Sequence, residues 1–294
     1  MLLYSNTNTK NTNNIPARRR DFFMLELIAI QGYEGSFHHM AAEEHFGEGI
    51  TIVPCATFRE VVDAVTQKKA AAGLMAIENS IAGSILPNYR LLQNAALYII
   101  GEVYLPIRQH LLVNKGVQLT AVREVHSHPM AIQQCIDYLV QHPWKLVETE
   151  DTALSAKAVY QKRLRHTAAI AGTRAAHLFQ LEILAENIHT EKKNFTRFLV
   201  LSQSGAPVPH ANKATVAFET QHKRGSLAAA LQAVADCNIN LSKLQSMPVP
   251  GSDFLYRFYA DLEFDVPTQF EEALEALKKQ TGHLKIFGIY KNGK

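Results

Sequence analysis

The chain has 294 residues, of which 47% are hydrophobic and 19% are charged, which is typical of a globular protein with one large or two modest domains. No apolar run reaches the roughly 18 residues that a membrane span needs, so membrane-spanning functions are not expected. The formal charge is +3, but four basic residues and one acidic residue fall within the first 24 positions. The rest of the chain is therefore neutral, and no electrostatic footprint for nucleic acid is expected.

The first 24 residues are rich in Asn and Thr and lack the apolar stretch of a secretory signal. We expect residues 1–24 to be a disordered or non-native N-terminal tail, with Met24 as the natural first residue. The cysteines Cys55, Cys135 and Cys237 lie far apart and show no C-x-x-C spacing. This pattern predicts reduced thiols in a cytoplasmic protein.

Short apolar runs alternate with helical patterns over the first two-thirds of the chain. The predicted strands cover residues 25–32, 51–56, 71–77, 124–128, 145–150 and 167–172. Thr57 and Glu60 predict a capping box at the start of one intervening helix, and a further helix is predicted over residues 130–140. The alternation predicts an α/β fold with a largely parallel sheet or sheets.

Ser, Thr or Asn residues stand at four junctions between a predicted strand and the next helix. These junctions are residues 32–36, 77–80, 127–129 and 150–153. In open α/β sheets, ligands bind at the carboxyl ends of strands, where helix N-termini offer free N–H groups. The junctions could thus converge on one anionic ligand, although each of them alone also fits a simple helix cap.

Thr196 and Arg197 lie at the entrance of another predicted strand, and the residues that follow are almost entirely apolar. A strand of this type packs without either polar group. A hydroxyl beside a guanidinium therefore indicates an anionic ligand that also needs a proton donor. The alternative is an ordinary strand threonine next to a solvated arginine.

A break rich in Pro, Gly and Asn at residues 204–213 predicts a domain boundary. After it, the pattern over residues 213–291 has the order strand, helix, strand, strand, helix, strand. This is the ferredoxin-like split βαβ arrangement (βαββαβ).

Five short motifs in chain order, followed by this C-terminal pattern, resemble the prephenate dehydratase family. The motif residues are Gly32, Gly35, Ser36 and Phe37; Ile77, Glu78, Asn79, Ser80 and Gly83; Ser127, His128, Pro129, Ala131 and Cys135; Asp151, Thr152 and Ala153; and residues 194–198. The resemblance implies a two-lobed, periplasmic-binding-protein-like catalytic domain over residues 25–204, with the substrate cleft between its lobes. It also implies an ACT regulatory domain over residues 213–291.

The resemblance further implies a lyase that converts prephenate to phenylpyruvate by decarboxylating dehydration in phenylalanine biosynthesis, without a metal or another cofactor. Thr196 matches the catalytic threonine of the family. The implied substrate-binding residues are Ser36, Asn79, Ser80, Thr152, Arg197 and Phe198. The implied supporting residues are Gly35, Glu78, Ser127, His128, Asp151 and Ala153. Glu78 is expected to orient Asn79 or Arg197. His128 is expected to have a helix-cap or structural role, and the alternative is that it donates a proton to the substrate. His38 and His39 are expected to be surface or packing residues.

The ACT resemblance implies that L-phenylalanine binds as an inhibitor in a cytoplasmic homodimer or homotetramer. The implied effector residues are Gly225, Ser226, Leu227, Asn238, Asn240 and Leu241. Gln245 and Met247 replace the charged pair of the family's Glu-Ser-Arg-Pro motif and are expected to affect the response. Two alternatives stay open: an arogenate dehydratase and a non-catalytic amino-acid sensor. The catalytic hypothesis requires Thr196 within roughly 10 Å of Asn79, so that both can reach one small ligand.

Overall fold

The computed structural model describes residues 27–206, 208–253 and 255–294. The expectations for the N-terminal tail and for Met24 lie outside these residues. Three sheets with flanking helices make up the described chain, so the predicted mixed α/β class is confirmed. No helix in the described ranges is both long and apolar enough to cross a membrane.

The first lobe is built on a six-stranded sheet. Its elements are β1 (Leu27–Gln31), α1 (Phe37–Phe46), β2 (Thr51–Cys55), α2 (Phe58–Thr66), β3 (Ala72–Asn79), β4 (Gly83–Ser84), α3 (Leu86–Asn94) and β5 (Tyr98–Pro106). Strand β1 pairs in parallel with β2 and β3. At the start of α2, Thr57 accepts from the Glu60 N–H as predicted, but the Glu60 carboxylate accepts from the N–H of Ala56, one residue before the N-cap, so the predicted capping box is only partly formed.

The second lobe is built on a five-stranded sheet. Its elements are β6 (His110–Val113), a 3-10 turn (Leu119–Ala121), β7 (Glu124–Ser127), α4 (Pro129–Gln134), α5 (Ile136–Leu139), β8 (Lys145–Glu148), α6 (Thr152–Gln161), β9 (Thr167–Ala171), α7 (Thr173–Leu178) and β10 (Glu182–Ala185). The strand order is β10-β6-β9-β7-β8. The helix predicted over residues 130–140 is interrupted at Cys135, which separates α4 from α5.

The chain then returns to the first lobe through β11 (Phe195–Ser202), which lies between β3 and β5 and runs antiparallel to both. The first sheet is therefore mixed, and the prediction of a largely parallel sheet is wrong for its β3-β11-β5 part. It is also wrong for the β10-β6-β9 part of the second sheet, where the strands pair antiparallel. Phe198 and Val200 pack on one side of this sheet, while Leu199 and Leu201 pack on the other. Burial on both sides explains why this strand is almost continuously apolar.

The C-terminal part has the predicted element order. Its elements are β12 (Lys213–Glu219), α8 (Ser226–Ala235), β13 (Asn240–Pro248), β14 (Tyr256–Glu263), α9 (Pro267–Gln280) and β15 (Gly282–Tyr290). The sheet is antiparallel with the order β13-β14-β12-β15, which is a ferredoxin-like arrangement. Helices α8 and α9 share one apolar cluster with this sheet. Ala217, Tyr259 and Phe287 instead join a first-lobe cluster that contains Leu199 and Leu201.

Candidate active site

Most of the predicted catalytic and substrate-binding residues line a cavity of about 290 Å³. It lies between the two lobes, beside the carboxyl end of β3 and the N-termini of α1, α4 and α6. The first lobe contributes Ser36, Phe37, His38, Asn79, Thr196 and Phe198, and the second contributes Gln109, His128, Met130, Asp151 and Thr152, among other residues.

Thr196 and Asn79 lie directly opposite each other on β11 and β3. The Asn79 Nδ2 donates to Thr196 Oγ1 at 3.0 Å, so the two side chains meet the distance requirement derived from the sequence. Asn79 Nδ2 also donates to Asn194 Oδ1 at 2.7 Å, and Asn79 Oδ1 accepts from the Ile81 and Ala82 N–H groups. These contacts fix the Asn79 amide. Within the described chain, Thr196 donates no hydrogen bond, so its proton is available to a ligand.

Helix N-termini surround this pair. Ser36 caps α1 by accepting from the His39 N–H at 3.2 Å, and Asp151 caps α6 by accepting from the Leu154 N–H at 2.9 Å. His128 caps α4 through Nδ1, which accepts from the Met130 N–H at 3.2 Å, as predicted for this histidine. The positive ends of three helices thus point toward the cleft, an arrangement that favours a bound anion.

The glycine turn before α1 joins the two lobes at the cleft. Gly32 and Gly35 have φ values of +91° and +86°, which favour glycine. A Cβ atom on Gly35 would lie 3.1 Å from the Ala175 Cα, and one on Gly32 would lie 3.2 Å from Asp151 Oδ2. Glycine therefore allows the close approach that places Ser36 opposite α6.

Arg197 does not reach the cleft, so its predicted role in gripping a substrate carboxylate is wrong. Side chains alternate along a strand, and Arg197 therefore points to the opposite side of the sheet from Thr196. It is buried, where its Nε donates to Glu102 Oε2 at 2.6 Å and its Nη1 pairs with Asp261. Burial lowers the pKa of Arg197, but the charges of Asp261 and the other neighbours outweigh this effect and raise the pKa above its ordinary range.

Glu78 and Ser80 also have partners other than those predicted. Glu78 forms an ion pair with Lys243 at 2.5 Å, and within the described structure its carboxylate makes no hydrogen bond to Asn79 or Arg197. The Ser80 hydroxyl donates to the Lys193 carbonyl at 3.1 Å and accepts from the Phe195 N–H at 2.9 Å. Ser80 does not line the cavity, so its side chain holds the start of β11 and does not contact the cleft.

The remaining supporting residues stabilise the second lobe around the cleft. Ser127 is fully buried, and its hydroxyl donates to the Ile170 carbonyl at 2.7 Å, which ties β7 to β9. Ala153 is buried in the first turn of α6. Asp151 faces the cavity, and burial raises the pKa of its carboxyl group. Thr152 starts the same helix and lines the cavity.

Sequence reasoning did not place His38 in the cleft. Its ring packs edge-on against Phe198 with a centroid distance of 4.9 Å, and its Nε2 is buried without a partner in the described structure. Burial lowers the pKa of His38 to about 4, so the imidazole is neutral near pH 7. The predicted packing role is correct, but the residue also lines the cavity. Its position in the first turn after Ser36 was the available signal.

His39 connects the glycine turn to the second lobe. Its Nδ1 accepts from the Gly35 N–H at 3.1 Å, and its Nε2 lies 3.6 Å from Glu43. Glu43 in turn pairs with Arg174 of α7 at 2.6 Å. His39 is therefore a buried packing residue that also supports the N-terminus of α1.

The predicted effector residues form two groups at opposite ends of α8. Gly225 has a φ of +81° and precedes α8, where Gly225 and Leu227 line a cavity of about 490 Å³ with residues 220–224. Asn238 and Asn240 line a different cavity, near the start of β13. One copy of the chain therefore does not bring the two groups together.

A larger cavity of about 900 Å³ lies between β5 and the C-terminal α9. Its lining is mainly apolar, and no helix N-terminus with a predicted site residue converges on it. The smaller interlobe cavity is the better candidate active site because polar groups converge there. Among the described residues, no group of three or more His, Cys, Asp or Glu side chains is placed to hold a metal ion.

Comparison with known proteins shows which family this chain resembles. The family model of prephenate dehydratase matches residues 28–206. The bifunctional chorismate mutase/prephenate dehydratase of Enterobacter agglomerans is 33% identical over 271 residues, which cover 90% of this chain and 70% of the relative.

Two solved structures are similar over nearly the whole described chain. The prephenate dehydratase from Arthrobacter aurescens in complex with L-Phe is 26% identical with a TM-score of 0.80, covering 91% of this chain and 90% of that one. GqqA, described as a novel type of quorum quenching acylase, is 31% identical with a TM-score of 0.81, covering 90% of this chain and 98% of that one.

Proposed function

Since the chain belongs to the prephenate dehydratase family and is a lyase of that kind, we propose that its interlobe cleft converts prephenate to phenylpyruvate, with Thr196 as the catalytic residue. The observation that carries this assignment is the hydrogen bond from Asn79 to Thr196. It occupies an acceptor position of the hydroxyl oxygen and leaves the proton free to point at a ligand.

The reaction breaks two bonds of the substrate ring. The ring carboxylate leaves as carbon dioxide, and the electron pair of its C–C bond makes the ring aromatic as the C–O bond to the ring hydroxyl breaks. The departing oxygen takes up a proton that comes from solvent and leaves as water. A threonine hydroxyl is too weak an acid to give up its proton outright, so Thr196 serves as a hydrogen-bond donor to the departing oxygen.

The substrate is a dianion, and in this proposal the helix N-termini supply the attraction that Arg197 cannot supply. Ser36 and the first N–H groups of α1 face the cleft from one lobe, and Thr152 at the start of α6 faces it from the other. Neutral dipoles of this kind hold the carboxylate that stays without over-stabilising the one that must leave. Phe198 and the neutral His38 provide an uncharged aromatic wall for the ring.

We also propose that residues 213–291 form an ACT regulatory domain that binds L-phenylalanine as an inhibitor, within a cytoplasmic homodimer or homotetramer. The ferredoxin-like topology, the cavity at Gly225 and the L-Phe complex of the Arthrobacter relative support this proposal. Strand β13 forms one edge of the C-terminal sheet. Pairing of β13 between two copies would bring Asn238, Asn240 and Leu241 of one copy toward Gly225, Ser226 and Leu227 of the other.

Arogenate is the alternative substrate, because it differs from prephenate only in the side arm, where an amino acid replaces the pyruvyl group. A non-catalytic amino-acid sensor is the alternative from another class. The likeness to GqqA raises a third possibility, cleavage of an acyl amide. In the described chain, however, no Ser, Thr or Cys of the cleft is hydrogen-bonded to a histidine ring nitrogen, the usual way to activate such a nucleophile. The Thr196–Asn79 pair favours dehydration.

Parallel assays of the pure protein decide among these functions. We expect the protein to convert prephenate to phenylpyruvate, which is measured by its ultraviolet absorbance. The kcat/KM for prephenate should exceed the kcat/KM for arogenate and for an N-acyl amide. A higher kcat/KM for arogenate than for prephenate would assign arogenate as the substrate. Absence of turnover on all three, with L-phenylalanine binding retained, would support the sensor.

A further inference from the structure

Four charged side chains lie directly behind the Thr196–Asn79 pair, and we call them the charge square: Glu78, Arg197, Lys243 and Asp261. Glu78 and Arg197 are opposite neighbours on β3 and β11 of the first lobe. Lys243 and Asp261 are opposite neighbours on β13 and β14 of the C-terminal sheet. Each strand pair therefore presents one positive and one negative charge to the other sheet.

Ion pairs join the two sheets at this square. Lys243 Nζ lies 2.5 Å from Glu78 Oε1 and also donates to Ser84 Oγ at 2.7 Å. Arg197 pairs with Asp261 through Nη1. The side chains of Arg197 and Asp261 are only 4% and 5% exposed, so water screens their attraction weakly.

The C-terminal sheet also holds the square from its own side. Thr215 Oγ1 donates to Asp261 Oδ1 at 2.6 Å, and Arg197 Nη2 donates to the Tyr290 hydroxyl at 3.0 Å. A Cβ atom on Gly288 of β15 would overlap the Ile99 carbonyl of β5, so the two sheets are tightly packed here. The square is therefore part of a tightly packed, hydrogen-bonded interface.

Each first-lobe member of the square is the chain neighbour of a cleft residue. Glu78 precedes Asn79 on β3, and Arg197 follows Thr196 on β11. Because side chains alternate along a strand, one member of each pair faces the cleft and the other faces the C-terminal sheet. A shift of the C-terminal sheet would therefore move both partners of the Asn79–Thr196 hydrogen bond through their own backbones.

We propose that Lys243 and Asp261 are positioning residues that hold the Asn79–Thr196 pair in reactive geometry through Glu78 and Arg197. The predicted effect on turnover rests on the proposed function, whereas the predicted structural coupling between the C-terminal sheet and the Asn79–Thr196 pair does not. Strand β13 carries Lys243 at the edge of the C-terminal sheet, so a ligand or second copy that shifts β13 acts first on the Lys243–Glu78 pair.

Lys243 is the residue to change. Removal of Arg197 or Asp261 would leave a buried charge without its partner, and such variants are expected to unfold. Lys243 and Glu78 are 14% and 33% exposed, so water can solvate Glu78 when Lys243 becomes methionine. The Arg257–Glu219 pair, at 2.5 Å and with exposures of 21% and 15%, is a matched control because it lies within the C-terminal sheet.

The experiment compares Lys243→Met, Lys243→Arg and Arg257→Met in the full chain. We expect Lys243→Met to lower kcat about tenfold or more and to change KM less than about threefold, because small misplacement of a catalytic group is costly. Lys243→Arg keeps the charge and should stay within about threefold of wild type, and Arg257→Met should retain the wild-type kcat.

Amide hydrogen exchange supplies a readout that does not depend on turnover. We expect faster exchange in segments 76–80 and 194–199 of Lys243→Met and wild-type exchange there in Arg257→Met. An unchanged kcat in folded Lys243→Met would overturn the proposal. If the wild-type protein does not convert prephenate, the proposed function fails, and equal exchange in the two methionine variants would then overturn the positioning role separately.

Discussion

Thr196 is the residue whose hydroxyl proton can point into the cleft while its oxygen is held by Asn79. Valine keeps the branched shape of threonine and removes only the hydroxyl. We expect Thr196→Val to lower kcat by about 100-fold or more, with a smaller effect on KM, because the hydrogen bond strengthens as the oxygen departs. Initial-rate kinetics on prephenate measure both constants. Thr196→Ser is the control that should keep most of the activity, and a near-normal kcat in Thr196→Val would remove Thr196 from the mechanism.

His38 is a buried neutral imidazole, and this predicts a pH dependence of stability. Its pKa is about 4 in the folded protein, below the ordinary histidine value of about 6.5. Below pH 6.5 the unfolded chain therefore binds a proton that the folded chain does not, and stability falls as the pH drops toward 4. Phenylalanine keeps a ring against Phe58 and Phe198 and cannot titrate.

We therefore expect wild type to lose on the order of 1–2 kcal/mol more of its unfolding free energy than His38→Phe does between pH 7 and pH 5. Urea unfolding at the two pH values measures the difference. Equal losses in both proteins would show that His38 is free to protonate in the folded state.

At the scale of elements, the N-terminus of α1 depends on the glycine turn that precedes it. A Cβ atom on Gly35 would meet the Ala175 backbone of the second lobe, and the φ of +86° is itself unfavourable for alanine. Gly116 has a φ of +75°, but a Cβ atom there meets nothing within 4 Å. Comparing alanine variants at the two positions therefore separates the energetic cost of backbone strain from the cost of the contact between the lobes.

We expect Gly116→Ala to lower the unfolding free energy by about 1 kcal/mol and Gly35→Ala to lower it by more. Only Gly35→Ala should also raise KM, because it displaces Ser36 and the α1 N–H groups from the cleft. Denaturant unfolding and initial-rate kinetics measure the two effects. Equal stability losses with an unchanged KM would contradict a role for this turn in the cleft.

At the scale of the whole molecule, the proposed regulation requires the C-terminal sheet to respond to an amino acid and the response to reach the cleft. We expect L-phenylalanine to inhibit the initial velocity, with a coupling free energy of about 1–3 kcal/mol between the two sites. D-Phenylalanine is the control for specific binding, and sedimentation with and without effector reports the number of copies. No inhibition up to millimolar effector, with no heat of binding by calorimetry, would mean that Gln245 and Met247 have disabled the sensor.

Asn79 and Thr196 show how far local pattern reaches, because each lies within a motif, Asn79 just after a predicted strand and Thr196 at the entrance of another. The α/β alternation, the βαββαβ order of the C-terminal part and the capping roles of Thr57 and His128 were predictable because they depend on periodicity and on neighbours within a few residues. The convergence of Ser36, Asn79 and Thr152 was also predictable, because junctions after strands lie at the carboxyl ends of those strands. Thr196 stands at the start of its strand and reaches the same cleft because β11 runs antiparallel to β3, which the strand pattern did not predict.

Arg197, Glu78 and His38 needed the tertiary structure. Arg197 follows Thr196 in the motif, but the strand period turns it away from the cleft, and its partners Glu102, Asp261 and Tyr290 lie on distant parts of the chain. The sequence by itself determined which elements form and which motifs meet, since those depend on local propensity and hydrophobic period. Only the tertiary structure decided which side of the sheet each charge faces and what it meets there, because packing of the C-terminal sheet against the first lobe supplies those partners.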